Sequence, residues 1–259
     1  MSDKSTIEWT EATWNPVTGC SKVSPGCANC YAETLSLRYG YSKLPWTPAN
    51  AAENVVLHPE RLRQPLKWRR SRLIFVNSMS DLFHELVPFD YIDRVFEIME
   101  HSPQHTFQVL TKRPERQREY MSYRVKRAAM GNQDLGPPFE SVLPNVWLGT
   151  SIENDRWVTR ADDLRATWAA IRFLSLEPLL GPLPSLDLTG IDWAIVGGES
   201  GSGHRPIQAE WIRDLRDRCN VAGVAFFFKQ WGGHTPKAGG RILDGRTWDE
   251  MPQHLLVAA

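Results

Sequence analysis

Apolar residues in this chain collect into short runs separated by longer stretches of mixed polarity. Seven runs stand out, at 14–19, 73–77, 107–111, 146–150, 172–176, 193–197 and 224–228. They are rich in Val, Ile, Phe and Trp and bounded by turn residues, the pattern of strands buried on both faces. Between them, helical periodicity covers 29–41, 89–101, 114–129, 154–170 and 208–221, the third opening on Pro114 at a position where proline suits a helix start. Strand and helix alternating in this way predict parallel strands joined by right-handed helical crossovers, hence an α/β fold, either a barrel or an open doubly wound sheet, with the barrel preferred. Two irregular segments, 44–65 and 131–144, interrupt the alternation as insertions, readable as lids, partner-binding loops or passive surface.

In a barrel the chemistry sits at the C-terminal ends of the strands, so the residues just after each run carry the candidate function. Here they are polar: Cys20 after the first run; Ser78, Ser80 and Asp81 after the second; Lys112 and Arg113 after the third; Ser151 and Glu153 after the fourth; Glu177, Glu199 and Lys229 after the later ones. The 259 residues, 42% of them apolar, suit one domain spanning 1–259. The absence of a long apolar run and of a leader-like start predicts a cytoplasmic protein with no membrane association.

Basic and acidic side chains balance at 30 each, which excludes a globally basic nucleic-acid binder. Locally, 61–72 holds six basic residues and no acid, and 112–127 is also strongly basic. These are either solvated faces or a phosphate-contact surface. Within the first, Trp68 in LKWRRSR combines an aromatic ring with guanidinium groups in a way that suits stacking on a base.

Cysteine spacing adds the sharpest feature. Cys20, Cys27 and Cys30 lie in GCSKVSPGCANCYAE, at a strand end and ahead of a helix, whereas Cys219 stands alone in DRCNVAGV and reads as a small core residue. Three thiolates can ligate three irons of a cubane cluster and leave the fourth iron open, while an electron carrier ordinarily takes four. Structural zinc is the competing reading, and it needs a fourth ligand such as Cys219, His58 or His84.

The segment resembles the radical S-adenosylmethionine superfamily, and more closely a phage-associated family with the wider C-x6-C-x2-C spacing. WNPVTGC, CANCYAE, FVNSMSDLFH, LTKRP, LGTSIEN, SLEPLLGP, IVGGESG and FFFKQWGG extend the resemblance over most of the chain. It implies a partial (β/α)6 TIM-like barrel and a [4Fe–4S] cluster on Cys20, Cys27 and Cys30 that binds S-adenosyl-L-methionine. An external reductant would cleave that molecule to a 5′-deoxyadenosyl radical. By position, the resemblance assigns cofactor contacts to Asn77, Ser78, Ser80, Asp81, Lys112, Thr150, Ser151, Glu153 and Glu177. For Ser80 and Asp81, a turn or helix cap is an equal reading. Glu199, His204, Arg205 and Lys229, with Trp68, become candidate substrate contacts. The implied substrate is a nucleic acid or nucleotide undergoing repair or modification, and such families are often encoded beside a partner protein. The sequence departs from the commonest superfamily pattern in its six-residue first gap and in Asn29, where an aromatic residue ordinarily precedes the last cysteine. A zinc- or cluster-bearing module that binds nucleic acid or a partner protein without cleaving the cofactor is the second reading, and an electron-transfer or sensor protein that never cleaves it is the third.

Overall fold

A computed structural model describes residues 5–129 and 142–252. Its main sheet has seven parallel strands in the order β1 (Ala12–Trp14), β4 (Leu73–Val76), β5 (Thr106–Thr111), β6 (Val146–Ser151), β7 (Ile171–Leu176), β8 (Trp193–Gly197) and β9 (Ala225–Gln230). The sheet curls into a half-barrel with β1 and β9 at its edges. Helices α3 (Phe89–Glu100), α4 (Pro114–Ala129), α5 (Arg160–Arg165) and α6 (Ala209–Ala222) supply crossovers, and α1 (Tyr31–Arg38) and α2 (Ala51–Asn54) lie in the long first connection. The expected α/β architecture is therefore present as a partial, TIM-like barrel. No helix among the described residues is long and apolar enough to cross a membrane.

Each of the seven apolar runs contains a strand, with two instructive differences in detail. The run at 14–19 divides at Asn15 and Pro16: β1 ends at Trp14, and β2 (Val17–Thr18) leaves the main sheet to pair antiparallel with β3 (Val56–Leu57). Proline has no N–H for a ladder, and the Pro16 carbonyl instead accepts from His58 N–H at 2.8 Å and the Tyr91 hydroxyl at 2.9 Å. The stretch expected as one helix over 154–170 forms only a 3₁₀ turn at Asp155–Trp157 and the short α5. Asn154 caps that turn through its side chain at 3.2 Å, a local bond that competes with continued helix. The insertion expected at 131–144 falls outside the described residues up to position 141.

Side chains alternate across each strand, so every strand feeds two cores. Leu148, Leu174, Ala194, Val196, Phe226 and Phe228 face the helices. The opposite positions, Phe75, Trp147, Phe173, Trp193, Ile195 and Phe227, join Trp9 inside the curl as an aromatic floor. Trp193 meets Trp147 and Phe227 edge-on at 5.9 and 6.0 Å. Phe173 fits because its partner in register is Gly149, where an added Cβ would come within 2.5 Å of the ring. Following the same alternation upward, the floor gives way to Asn77, Lys112, Ser151, Glu177 and Lys229. The inside of the half-barrel is thus dry at its base and polar at its mouth.

Cys219 is fully buried on α6, as expected of a core cysteine. Burial pushes its thiol up to about 12. An acid whose folded value lies above its unfolded value of about 8.5 favours the fold while protonated. That contribution is complete below about pH 8.5 and is lost as pH rises from there toward about 12. Chemical denaturation of the metal-free protein is expected to show lower stability at about pH 10.5 than at about pH 8, with a smaller drop in Cys219→Ala. Equal drops in the two proteins would remove Cys219 from the account.

Candidate functional site

The cysteine segment leaves β2 through Gly19, whose φ of 79° and contact with Asn54 admit no side chain: an added Cβ would lie 1.8 Å from the Asn54 carbonyl oxygen. Gly19 N–H bonds the Met79 carbonyl at 3.0 Å, joining the segment to the loop after β4. A 3₁₀ turn at Pro25–Cys27 follows, and Cys30 stands at the N-cap of α1. Cys20, Cys27 and Cys30 are all unpaired thiols and line one cavity of about 150 Å³ at the barrel mouth, together with Tyr31, Asn77, Ser78, Ser80, Asp81, Lys112, Arg113 and Ser151.

Three arginine–carboxylate pairs, rising from the ends of different strands, hold this segment in place. After β5, Arg113 pairs with Asp81 at 3.1 Å and donates to the Ser21 carbonyl at 3.2 Å, the Ser21 hydroxyl at 3.0 Å and the Cys20 sulfur at 3.5 Å. After β6, Glu153 is fully buried, pairs with Arg160 at 3.1 Å and accepts from Gly26 N–H at 3.2 Å. After β8, Glu199 pairs with Arg205 at 2.5 Å and accepts from the Asn29 amide at 3.0 Å, and Arg205 reaches back to the Pro25 carbonyl at 3.0 Å. Each pair therefore fixes a different part of the segment. Charge-assisted bonds of this kind are among the strongest a loop can make, so the thiols are pre-positioned.

Burial, reinforced by Asp81, pushes the Cys20 thiol up to about 12 against the opposing pull of Arg113. Burial also raises Cys30, opposed by helix amides and by Lys112. Without a cation in the cavity these sulfurs are protonated at neutral pH; metal binding releases such protons and supplies the charge that burial withholds. His84 behaves as a neutral strut. Burial and then Arg113 lower its pKa, Leu86 N–H donates to its Nδ1 at 3.1 Å, and its Nε2 accordingly donates to the Ser21 hydroxyl at 2.9 Å.

The structure distributes the expected cofactor contacts unevenly. Asn77 holds a left-handed backbone at φ 60°, is 2% exposed and is one of the residues lining the cavity; its Oδ1 accepts from Val17 N–H at 3.4 Å, while its Nδ2 has no partner among the described residues. Ser78 bonds Asn15 through its hydroxyl and receives the Tyr31 hydroxyl on its carbonyl at 2.7 Å. Ser80 donates to the Val17 carbonyl at 2.8 Å. Asp81 has both oxygens filled by four donors, namely Phe83 N–H, the Thr111 hydroxyl, Lys112 N–H and Arg113, so it braces the site and has no lone pair directed at a ligand ammonium. Thr150 faces the helix side and bonds the Thr111 carbonyl at 3.0 Å, away from the cavity. Ser151 and Lys112 do line it. Glu177 lies over Gly197 and pairs with Lys229 at 3.0 Å on the inner face.

Among the expected substrate contacts, Glu199 and Arg205 belong to the loop anchor, and His204 bonds the Gly201 carbonyl while its ring rests 5.3 Å from that of His234. Trp68 lies apart from the other candidates. Its ring is buried in the main core, stacked under Arg72 at 5.0 Å and set edge-on to His105, and it precedes β4, at the end of the sheet opposite the mouth. It has no face to offer a base. The basic stretch 112–127 is likewise used internally: Arg113 anchors Cys20, Arg116 donates to the Val87 carbonyl, and Arg118, Arg124 and Arg127 pair with Asp163, Glu100 and Asp93 across the helical layer. Arg160 escaped sequence reading because nothing local distinguishes a buried helix arginine from a solvated one.

No three His, Cys, Asp or Glu residues among the described ones converge as ligands of a single metal ion. The fourth ligands that zinc would need are engaged elsewhere: His58 bonds the Thr18 hydroxyl and Glu60, His84 bonds Ser21 and Leu86, and Cys219 is buried on α6. Thiolates on three separate irons of a cluster need not meet at one point. Three free thiols and Asn77 thus line one cavity.

The anchoring of the loop is open to direct test. Glu199→Gln removes the charge opposite Arg205 and is expected to cost about 1–3 kcal/mol of stability and to speed alkylation of Cys27 and Cys30 in the metal-free protein. Unchanged alkylation rates would mean that the other two anchors suffice.

A family model described as a protein of unknown function, DUF5131, matches residues 4–252. No curated protein and no solved structure matches the chain.

Proposed function

The chain belongs to DUF5131, a family of proteins of unknown function, and from that premise we propose that it is an iron–sulfur enzyme of the radical S-adenosylmethionine type. The observation that carries the reading is that three free thiols line one cavity at the C-terminal ends of parallel strands, beside a buried amide with no partner among the described residues. Cys20, Cys27 and Cys30 would hold a [4Fe–4S] cluster, leaving Cys219 in the core. When bound, the cluster and S-adenosyl-L-methionine supply one-electron reductive cleavage, with the electron coming from an external reductant.

The protein's own part is placement. The three arginine–carboxylate pairs fix the segment that carries the thiols, and the aromatic floor closes the half-barrel beneath the mouth against water. Asn77 would donate to a ligand acceptor such as a carboxylate, and Lys112 brings positive charge to the same wall. Glu177 and Lys229, paired across the inner face, would orient a polar substrate.

Anaerobic incubation of reconstituted protein with S-adenosyl-L-methionine and dithionite tests the enzyme reading. The expected product is 5′-deoxyadenosine, formed by wild type and lost in Cys27→Ala. A bound cluster that yields no nucleoside would assign the protein to electron transfer or sensing.

A further inference from the structure

At its far end, the helix that follows the cysteines carries a surface that the chemistry above leaves unused. α1 turns Ala32, Glu33 and Ser36 inward and shows Leu37 and Arg38 to solvent. It closes in a Schellman turn: Gly40 N–H donates to the Leu37 carbonyl at 3.3 Å, Tyr41 N–H donates to the Ser36 carbonyl at 2.8 Å, and Gly40 takes the left-handed φ of 70°. In such a turn the residue at the position of Tyr41 commonly folds back onto the helix. Here it does not. Tyr41 is 69% exposed and Tyr39 61%, with their rings 6.1 Å apart and Arg38 5.8 Å from the Tyr39 ring.

A clustered exposure of aromatic rings on a rigid turn marks an interaction surface, and charge indicates its partner. Arg38 and Lys43 are exposed, and the whole stretch 34–52 contains no acidic residue. An exposed ring pair beside a guanidinium, on a stretch of sequence free of acidic residues, matches a strand that presents bases and phosphates together. The position fits as well. Tyr31, the first residue of α1, lines the cavity, and the eight residues of the helix span about 12 Å, so a strand on the platform is within a few nucleotides of the thiols.

We propose that Tyr39 and Tyr41, flanked by Arg38 and Lys43, form a stacking platform for single-stranded nucleic acid. That such a strand is also the substrate rests on the enzyme reading above; binding itself does not.

Fluorescence anisotropy of the full chain with short mixed-sequence DNA and RNA oligonucleotides at low salt tests this. Single strands are expected to bind, with affinity falling steeply as salt rises. Tyr39→Ala and Tyr41→Ala should each weaken binding roughly 5- to 150-fold, the Phe variants should retain it, and Arg38→Ala should reduce the salt slope by about one phosphate contact. No affinity at low salt, or a Tyr39/Tyr41 double alanine variant that binds like wild type, overturns the proposal, as does a platform whose only partner is a protein. Cleavage of S-adenosyl-L-methionine measured on the same proteins separates the two readings. Binding without cleavage keeps the platform and removes the enzyme; cleavage without binding does the reverse.

Discussion

Arg113→Met is expected to destabilise the metal-free protein by about 3–5 kcal/mol, because it leaves a buried carboxylate without its cation. Arg113 and Asp81 are both buried, and the guanidinium supplies bonds to Asp81, Ser21, Glu85 and the Cys20 sulfur at once. Methionine fills a similar volume and supplies none of them. Burial alone opposes charging of Arg113, yet Asp81, Cys20 and Glu85 outweigh it and raise its pKa, so the guanidinium keeps its charge. The double variant Arg113→Met with Asp81→Leu should recover part of the loss, since neither side then buries a lone charge. Urea unfolding reads both. A single variant within about 0.5 kcal/mol of wild type would show that the pair is not a brace.

Glu153→Gln is expected to be of comparable size, about 3–5 kcal/mol, for the complementary reason. Glu153 is fully buried and Arg160 nearly so, and the neutral amide leaves the Arg160 charge stranded beneath the cysteine segment. Space is tight as well: an added Cβ at Gly26 would come within 3.3 Å of the Glu153 carboxyl carbon. The variant should therefore show a second effect that a purely structural brace far from the site would not, namely faster alkylation of Cys27 and weaker iron retention. Lower stability with unchanged Cys27 reactivity and iron retention would confine Glu153 to the scaffold.

The strands were legible because each is buried on both faces and so appears as a continuous apolar run; the half-barrel follows from their alternation with helices. Cys20, Cys27 and Cys30 were legible for a different reason, as close spacing of a rare residue type survives without any knowledge of the fold. The partners that place them were not. Asp93, Glu100 and Asp163 neutralise arginines of α4 from other elements, so a stretch that reads as basic in sequence is internally paired in space. Trp68 misled in the same way. Its arginine-rich neighbours suggested a wet surface, while its ring packs inward under one of them. Conversely, YGY at 39–41 looked like the end of a helix, and only the Schellman turn shows its rings facing solvent.

Iron and sulfide analysis of anaerobically reconstituted protein tests the central claim most directly, with wild type, Cys20→Ala, Cys27→Ala, Cys30→Ala and Cys219→Ala compared side by side. The account predicts about four irons per chain in wild type and in Cys219→Ala, and loss of the cluster in each of the other three. Stoichiometric zinc without iron in the wild type, or a cluster that survives replacement of Cys20, Cys27 or Cys30, would contradict it.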